Sequence, residues 1–234
     1  MMSILKSFKK NKLLAILIDP EKFETNFAFA KAYLDKIPAT TTHLFVGGST
    51  DPDQKTQKVV KFLKNQTSLP ILLFPGSHRQ ITSHADGILF LSLLSGRNPD
   101  YLIGQQVVAA PLLAKTKLEI IPTGYLLLDG GSDTAVARVS GTAPIRQTDI
   151  ESIVNTALAG EFLGCACIYL EAGSGAKTPI QENVITAVRK AISIPLIVGG
   201  GIKSKAQMQK AFEAGATMVV IGTAFEEDNW NKNP

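Results

Sequence analysis

Two carboxylates stand where apolar runs stop. Asp19 closes "LLAILIDP" (13–20), and Glu171 closes "CACIYLEA" (165–172) just before Gly173, Ser174 and Gly175. A carboxylate ending an apolar strand must face a polar mouth or find a partner, because burying an unpaired charge is costly. For Glu171 two readings stay open: a base beside a substrate hydroxyl, or half of a structural ion pair. Tyr169, two residues earlier, points to the same side of a strand and can reach the same ligand. Asp19, with Ser49 and Thr50 ending the next apolar run, suits a hard cation such as Mg²⁺. That ion takes one or two carboxylates, waters and substrate phosphates. The competing reading makes Asp19 the cap of a turn at Pro20.

Glycines supply the third kind of group. "IVGGGIKS" and "VVIGTAF" put Gly200, Gly201 and Gly222-Thr223 after two late strands, each leading toward a helix. Backbone N–H groups there can approach an anion, with the helix dipole adding attraction, so a phosphate cradle is expected; the alternative is that the glycines serve tight turns. The stretch lacks the spacing of a P-loop or a dinucleotide fingerprint. His43, His78 and His84 are scattered and read as surface or turn residues.

The elements that must position these groups are short apolar runs separated by helical patterns. Strands are expected at 13–20, 42–49, 70–77, 87–94, 119–128, 165–172, 195–202 and 218–225. Their continuous hydrophobicity fits parallel strands covered on both faces. Helices are expected at Asn26–Ile37, Asp53–Gln66, Asp100–Lys115, Thr148–Phe162, Gln181–Ala191 and Ser204–Ala214, with N-caps in "TDIES" and "KSKAQMQ". The class is α/β, a (β/α)₈ barrel spanning 1–234 as one domain. "HRQITSHAD" is too short for a third crossover helix, and the last strand is followed by few residues. Residues 129–147 read as a long polar loop. In such a barrel the site collects at the C-terminal strand ends, which adds Tyr125 to the groups above.

The 234 residues are 45 % hydrophobic with a net charge of +4. No apolar run approaches the ~20 residues of a membrane span, and the basic then apolar N-terminus reads as part of the fold. The charges are interspersed, which argues against a nucleic-acid surface and leaves anionic small substrates open. Cys165 and Cys167 are expected to be free buried thiols, hence a cytoplasmic protein.

The motifs "LIDPEK", "FVGGST", "SLLSGRNPDYLIG", "IPTGYLLLDGG", "YLEAGSGA", "IVGGGIKS" and "VVIGTAFEE" together resemble the geranylgeranylglyceryl phosphate synthase family, which includes heptaprenylglyceryl phosphate synthases. The resemblance implies a modified barrel whose third crossover helix is replaced by a short segment. It also implies Mg²⁺-dependent transfer of a prenyl group from a polyprenyl diphosphate to sn-glycerol 1-phosphate. By position, Asp19 and Ser49 would hold Mg²⁺. Tyr169, Leu170, Glu171, Ala172, Gly173, Ser174 and Gly175 would bind glycerol phosphate, with Glu171 as base. Gly200, Gly201, Gly222 and Thr223 would hold its phosphate. Many members have Gly-Asn at the last pair, and some carry a basic residue at Leu17, a role Lys22 could take. Tyr101 would limit the tail, favouring C20. A homo-oligomer and peripheral membrane contact are further expectations. The alternatives are another phosphate-binding barrel (isomerase or lyase) and a non-catalytic binding barrel.

Overall fold

The structure, a computed structural model, describes residues 3–8, 12–48, 55–226 and 230. Helix α1 (Ile4–Ser7) precedes a closed barrel of parallel strands in chain order: β1 (Leu13–Ile18), β2 (His43–Val46), β3 (Ile71–Leu73), β4 (Gly87–Leu93), β5 (Glu119–Leu127), β6 (Cys167–Glu171), β7 (Leu196–Gly199) and β8 (Met218–Ile221). β8 pairs back on β1 with Leu13 opposite Met218. The apolar runs do not alternate because both strand faces are buried. Ala15, Phe45, Leu89, Ile121 and Ile197 fill the interior, while Leu14, Leu44, Ile168 and Val198 pack beneath the outer helices.

Those helices are α2 (Phe27–Lys36), α3 (Thr56–Lys64), α4 (Gln105–Leu113), α5 (Ala135–Ser140), α6 (Ile150–Phe162), α7 (Glu182–Ala191), α8 (Lys205–Glu213) and α9 (Thr223–Glu226). The expected N-caps hold: Asp149 accepts the Ser152 N–H and Ser204 accepts the Gln207 N–H, satisfying donors that the first turn leaves unpaired. Between β3 and β4 the chain makes only a 3₁₀ turn, His78–Gln80, as the short link requires.

Two expectations need correction. The segment 129–147 is not simply a loop. Thr134 accepts the Ala137 N–H and starts α5, whose Val136 and Ala137 pack on the interior cluster; the Gly/Ser/Thr-rich flanks hid that short helix. The helix expected at Asp100–Lys115 begins as a π-helical turn, Asp100–Gly104, before α4, which carries Pro111 inside it. The basic start is part of the fold, as expected: α1 closes the N-terminal end of the barrel. Phe8 is buried in the interior cluster. Glu119 accepts hydrogen bonds from Ser3 Oγ (2.5 Å) and from the N–H groups of Ile4 and Leu5 (2.6 and 3.0 Å), a carboxylate at a helix N-terminus.

His43, expected at the surface, is buried at the foot of β2. It lies edge-on to Phe8, with Thr42 Oγ1 2.8 Å from Nδ1 and Ser7 Oγ 3.2 Å from Nε2. Burial pushes its pKa down from 6.5 to about 4, so the folded state holds it neutral while the unfolded chain protonates it first. Its contribution is complete above pH 6.5 and is lost as pH falls toward 4, in all about 3 kcal/mol. Thermal unfolding of His43→Gln should show a flatter pH dependence than wild type across that window.

Both cysteines are free. Cys167 is fully buried beside Thr123 Oγ1 (3.4 Å), and burial pushes its thiol up to about 12; Cys165 is only half-buried.

Candidate active site

The strand ends open into a cleft of ≈ 460 Å³ lined by residues from many of the strand-to-helix loops. Because alternate strand residues share a face, Tyr169 and Glu171 on β6 project inward to it, as do Leu17 and Asp19 at the end of β1. Leu170 and Ala172 do not. They have the opposite parity and are buried in the outer layer, and Ala172 donates its N–H to the Gly199 carbonyl (3.1 Å).

Glu171 is only 7 % exposed, yet no cation pairs with it among the described residues. The ion-pair reading therefore fails. Its Oε1 accepts the Gly173 N–H at 2.7 Å, a bond made possible by the turn after β6. Burial raises its pKa from 4.5 to about 7, against the opposing pull of the Gly173 N–H and the nearby Tyr169 hydroxyl. A carboxyl group poised near neutrality suits proton transfer. The Tyr169 Oη is buried and has no hydrogen-bond partner of good geometry. It influences Glu171 through proximity, and burial together with the Glu171 charge holds its own pKa well above 10. A buried hydroxyl left unpaired beside a carboxylate is a place for a ligand.

The glycines at the end of β7 and just after it make room for these two side chains. A Cβ at Gly199 would fall 2.3 Å from Tyr169 Oη and 3.0 Å from Glu171 Oε2. At Gly200, which has φ +83°, a Cβ would lie 2.4 Å from Glu171 Oε1 and 2.7 Å from the backbone nitrogens of Ala172 and Gly173. The "GGG" run thus serves close approach of the carboxylate, beyond any cradle for an anion. Gly200→Ala should cost about 1–3 kcal/mol from backbone strain and move Glu171. Denaturant unfolding would measure the first, and a shift of the Glu171 carboxyl resonance with pH the second.

Gly173, Ser174 and Gly175 after β6, Gly200 and Gly201 after β7, and Gly222 and Thr223 after β8 all line the cleft. Ser174 Oγ and Thr223 Oγ1 lie 3.0 Å apart, joining two of the loops. Lys22 and Lys203 supply positive charge at the rim. Asp19 is both turn and cleft residue: its Oδ1 accepts the Glu21 N–H (3.0 Å), while Oδ2 lies 3.8 Å from Lys22 Nζ. Ser49, expected to join it, lies outside the described residues. Among those residues no cluster of three or more His, Cys, Asp or Glu could cage a metal. One carboxylate is nevertheless what Mg²⁺ requires when substrate phosphates and waters complete its shell.

Tyr125 and Phe74 connect this cleft to a second space. Phe74 stacks on Tyr169 (ring centroids 5.3 Å), and Tyr125 is tilted against it (5.4 Å). Beyond them an apolar slot of ≈ 110 Å³ passes between the third crossover and α4, lined by Ile81, Ile88, Phe90, Tyr101 and Ala109 among others. Tyr101 donates its hydroxyl to the Val139 carbonyl (3.0 Å), tying the π-helical turn to α5. Phe74, Thr134 and Lys203 line the cleft without having been singled out in the sequence. Phe74, which ends "PILLF", and Lys203, directly after the glycines, carried a positional signal; Thr134 carried none.

Barrel, polar cleft and apolar slot together define a (β/α)₈-barrel enzyme. Residues 6–233 match the PcrB family profile, and the chain belongs to the PcrB family. Relatives place it among prenyltransferases. The geranylgeranylglyceryl phosphate synthase of Zunongwangia profunda is 58 % identical, the match covering 96 % of this chain and 95 % of that one. The enzyme of the same name from Flavobacterium johnsoniae is 52 % identical, over 94 % and 91 %. The crystal structure of (S)-3-O-geranylgeranylglyceryl phosphate synthase from Thermoplasma acidophilum, in complex with sn-glycerol-1-phosphate, superposes with a TM-score of 0.89. It is 36 % identical and covers 97 % of this chain and 92 % of that one.

Proposed function

We propose that the chain transfers a polyprenyl group from its diphosphate to the C3 hydroxyl of sn-glycerol 1-phosphate, forming an ether. The observation that carries this reading is the buried Glu171, paired with no cation among the described residues, in a glycine-walled cleft that Phe74 and Tyr125 join to an apolar slot. The Thermoplasma acidophilum relative in complex with sn-glycerol-1-phosphate supports the acceptor, and the slot supports an apolar donor tail.

The loops after β6, β7 and β8 hold the acceptor phosphate through backbone N–H groups. Fixing that end orients the glycerol so that its C3 hydroxyl meets Glu171, and orientation alone removes much of the entropic barrier. Tyr169 Oη gains the partner it lacks from a glycerol hydroxyl. The hydroxyl oxygen forms a bond to C1 of the prenyl chain as the C1–O bond to diphosphate breaks. The electron pair leaves with diphosphate, and the proton passes to Glu171. Asp19, with Ser49, would hold Mg²⁺, which would supply charge neutralisation to the leaving diphosphate. Lys22, beside Asp19, adds positive charge at the same rim. Phe74, Tyr125 and Tyr101 shape the entrance and wall of the tail slot, and a C20 tail is the favoured donor. The exposed apolar residues Val107, Val108 and Leu112 on α4 support an oligomer.

The test combines purified protein, Mg²⁺, labelled sn-glycerol 1-phosphate and a ladder of prenyl diphosphates, with products sized by chromatography. An ether product peaking at C20 is expected; no product at any chain length would overturn the reading.

A further inference from the structure

Behind the third crossover lies a separate polar cavity of ≈ 430 Å³. Among the described residues it shares no lining with the mouth cleft; Ile81 lines both it and the apolar slot. Lys58 and Lys61, one turn apart on α3, and Arg79 on the 3₁₀ turn converge on it, and among the described residues no carboxylate lines it. None of the three has an ion-pair partner among the described residues, whereas the next lysine of α3, Lys64, is taken by Asp86 at 2.8 Å.

The second observation is Gln80, also in the lining and only 2 % exposed. Its Oε1 accepts the Gly76 N–H at 2.6 Å, which decides which way round the amide lies. Its Nε2 is consequently a buried donor with no hydrogen-bond partner. A buried N–H left unmade carries its full desolvation cost, and like charges gathered on two elements repel. One anion placed among the cations removes that repulsion, and Gln80, in the same lining, is the buried neighbour that would register it.

We infer that this cavity binds a phosphate or diphosphate group, apart from the site at the barrel mouth. Cations arriving from two elements, one of them a planar guanidinium, suit an anion with oxygens in several directions, better than a single carboxylate. The bound group would bridge α3 to the crossover that also walls the apolar slot. The phosphate could belong to a free anion or to a lipid headgroup, and the chemistry of recognition is the same.

Inorganic phosphate, inorganic diphosphate and phosphatidylglycerol vesicles would each be titrated into ¹⁵N-labelled full-length protein, with phosphatidylcholine vesicles as the control. The readout is the side-chain NH₂ resonance of Gln80, compared with the backbone amides of Gly200 and Gly201. A saturable shift of the Gln80 resonance with a free anion identifies a soluble ligand. A response only to phosphatidylglycerol, as a shift or as flotation with the vesicles, identifies a headgroup. In the combined Lys58→Ala, Lys61→Ala, Arg79→Ala variant the response should weaken about tenfold or more, with the Gly200 and Gly201 shifts unchanged. These are exposed side chains, and unfolding curves would verify the fold; Arg79→Ala alone should weaken binding in the same direction. The proposal is overturned if Gln80 responds to none of the three, if only the mouth glycines respond, or if the variants bind as wild type does.

Discussion

Replacing Glu171 by glutamine should lower prenyl-transfer turnover by about 10²–10⁴-fold, the range a positioned general base contributes. Binding of sn-glycerol 1-phosphate should be weakened but detectable, because the glycine loops that meet the phosphate are untouched. Glutamine keeps the shape and can still accept the Gly173 N–H, so the loss isolates proton acceptance. The wild-type rate should rise with pH through about 7, where Glu171 ionises, and the variant should lack that limb. Stability supplies an independent check of opposite sign. Burial raises the folded pKa above the ordinary 4.5, so the folded state binds the proton more tightly than the unfolded chain. The contribution is complete below pH 4.5 and is lost as pH rises to about 7, amounting to about 3 kcal/mol. Wild type should therefore lose that much relative to Glu171→Gln across the window. His43 titrates in the opposite sense over part of it, which is why the comparison is between the two proteins. Unchanged turnover in the variant would remove Glu171 from the reaction.

Asp19→Asn should reduce activity on the order of 10²-fold, since a metal's charge on a leaving group is worth several kcal/mol. The Mg²⁺ concentration giving half-maximal rate should rise with it. Asparagine can still accept the Glu21 N–H that Asp19 Oδ1 now receives, so the turn survives while the charge is lost. The substitution thereby separates the two roles the sequence left open. An identical Mg²⁺ curve at full activity would leave Asp19 as a turn residue alone.

Much of this was legible because a barrel writes its layers into sequence: continuous apolar strands, helical crossovers, and chemistry at strand ends. The unpaired state of Glu171 was not legible, since spacing cannot say whether a cation sits across a mouth. Nor was the parity of Leu170 and Ala172 respected when a whole motif was taken as binding; only the inward members reach the cleft. Gly200 reads in sequence as serving an anion or a turn, whereas the missing Cβ atoms of Gly199 and Gly200 accommodate Tyr169 and Glu171 from the neighbouring strand. That relation joins residues roughly thirty positions apart and appears only with the register of β6 on β7. α1 and the burial of His43 were missed for a similar reason. Each depends on a long-range partner, Glu119 in one case and Phe8 in the other, and neither carries a local periodic signal.

Because α1 and Phe8 stopper one end of the barrel, a prenyl chain entering from the other end has no axial route. The slot between the crossover and α4 would turn it sideways, past β4 and along the flank. Head and tail of such a donor would lie at an angle, the reacting carbon at the bend. On the proposed function, chain length would then be gauged on the periphery, by the spacing of two outer segments, while bond making would stay on the axis. A ruler and a reaction centre separated in this way could change independently: the measure of the product could drift without disturbing the carboxylate proposed to make it.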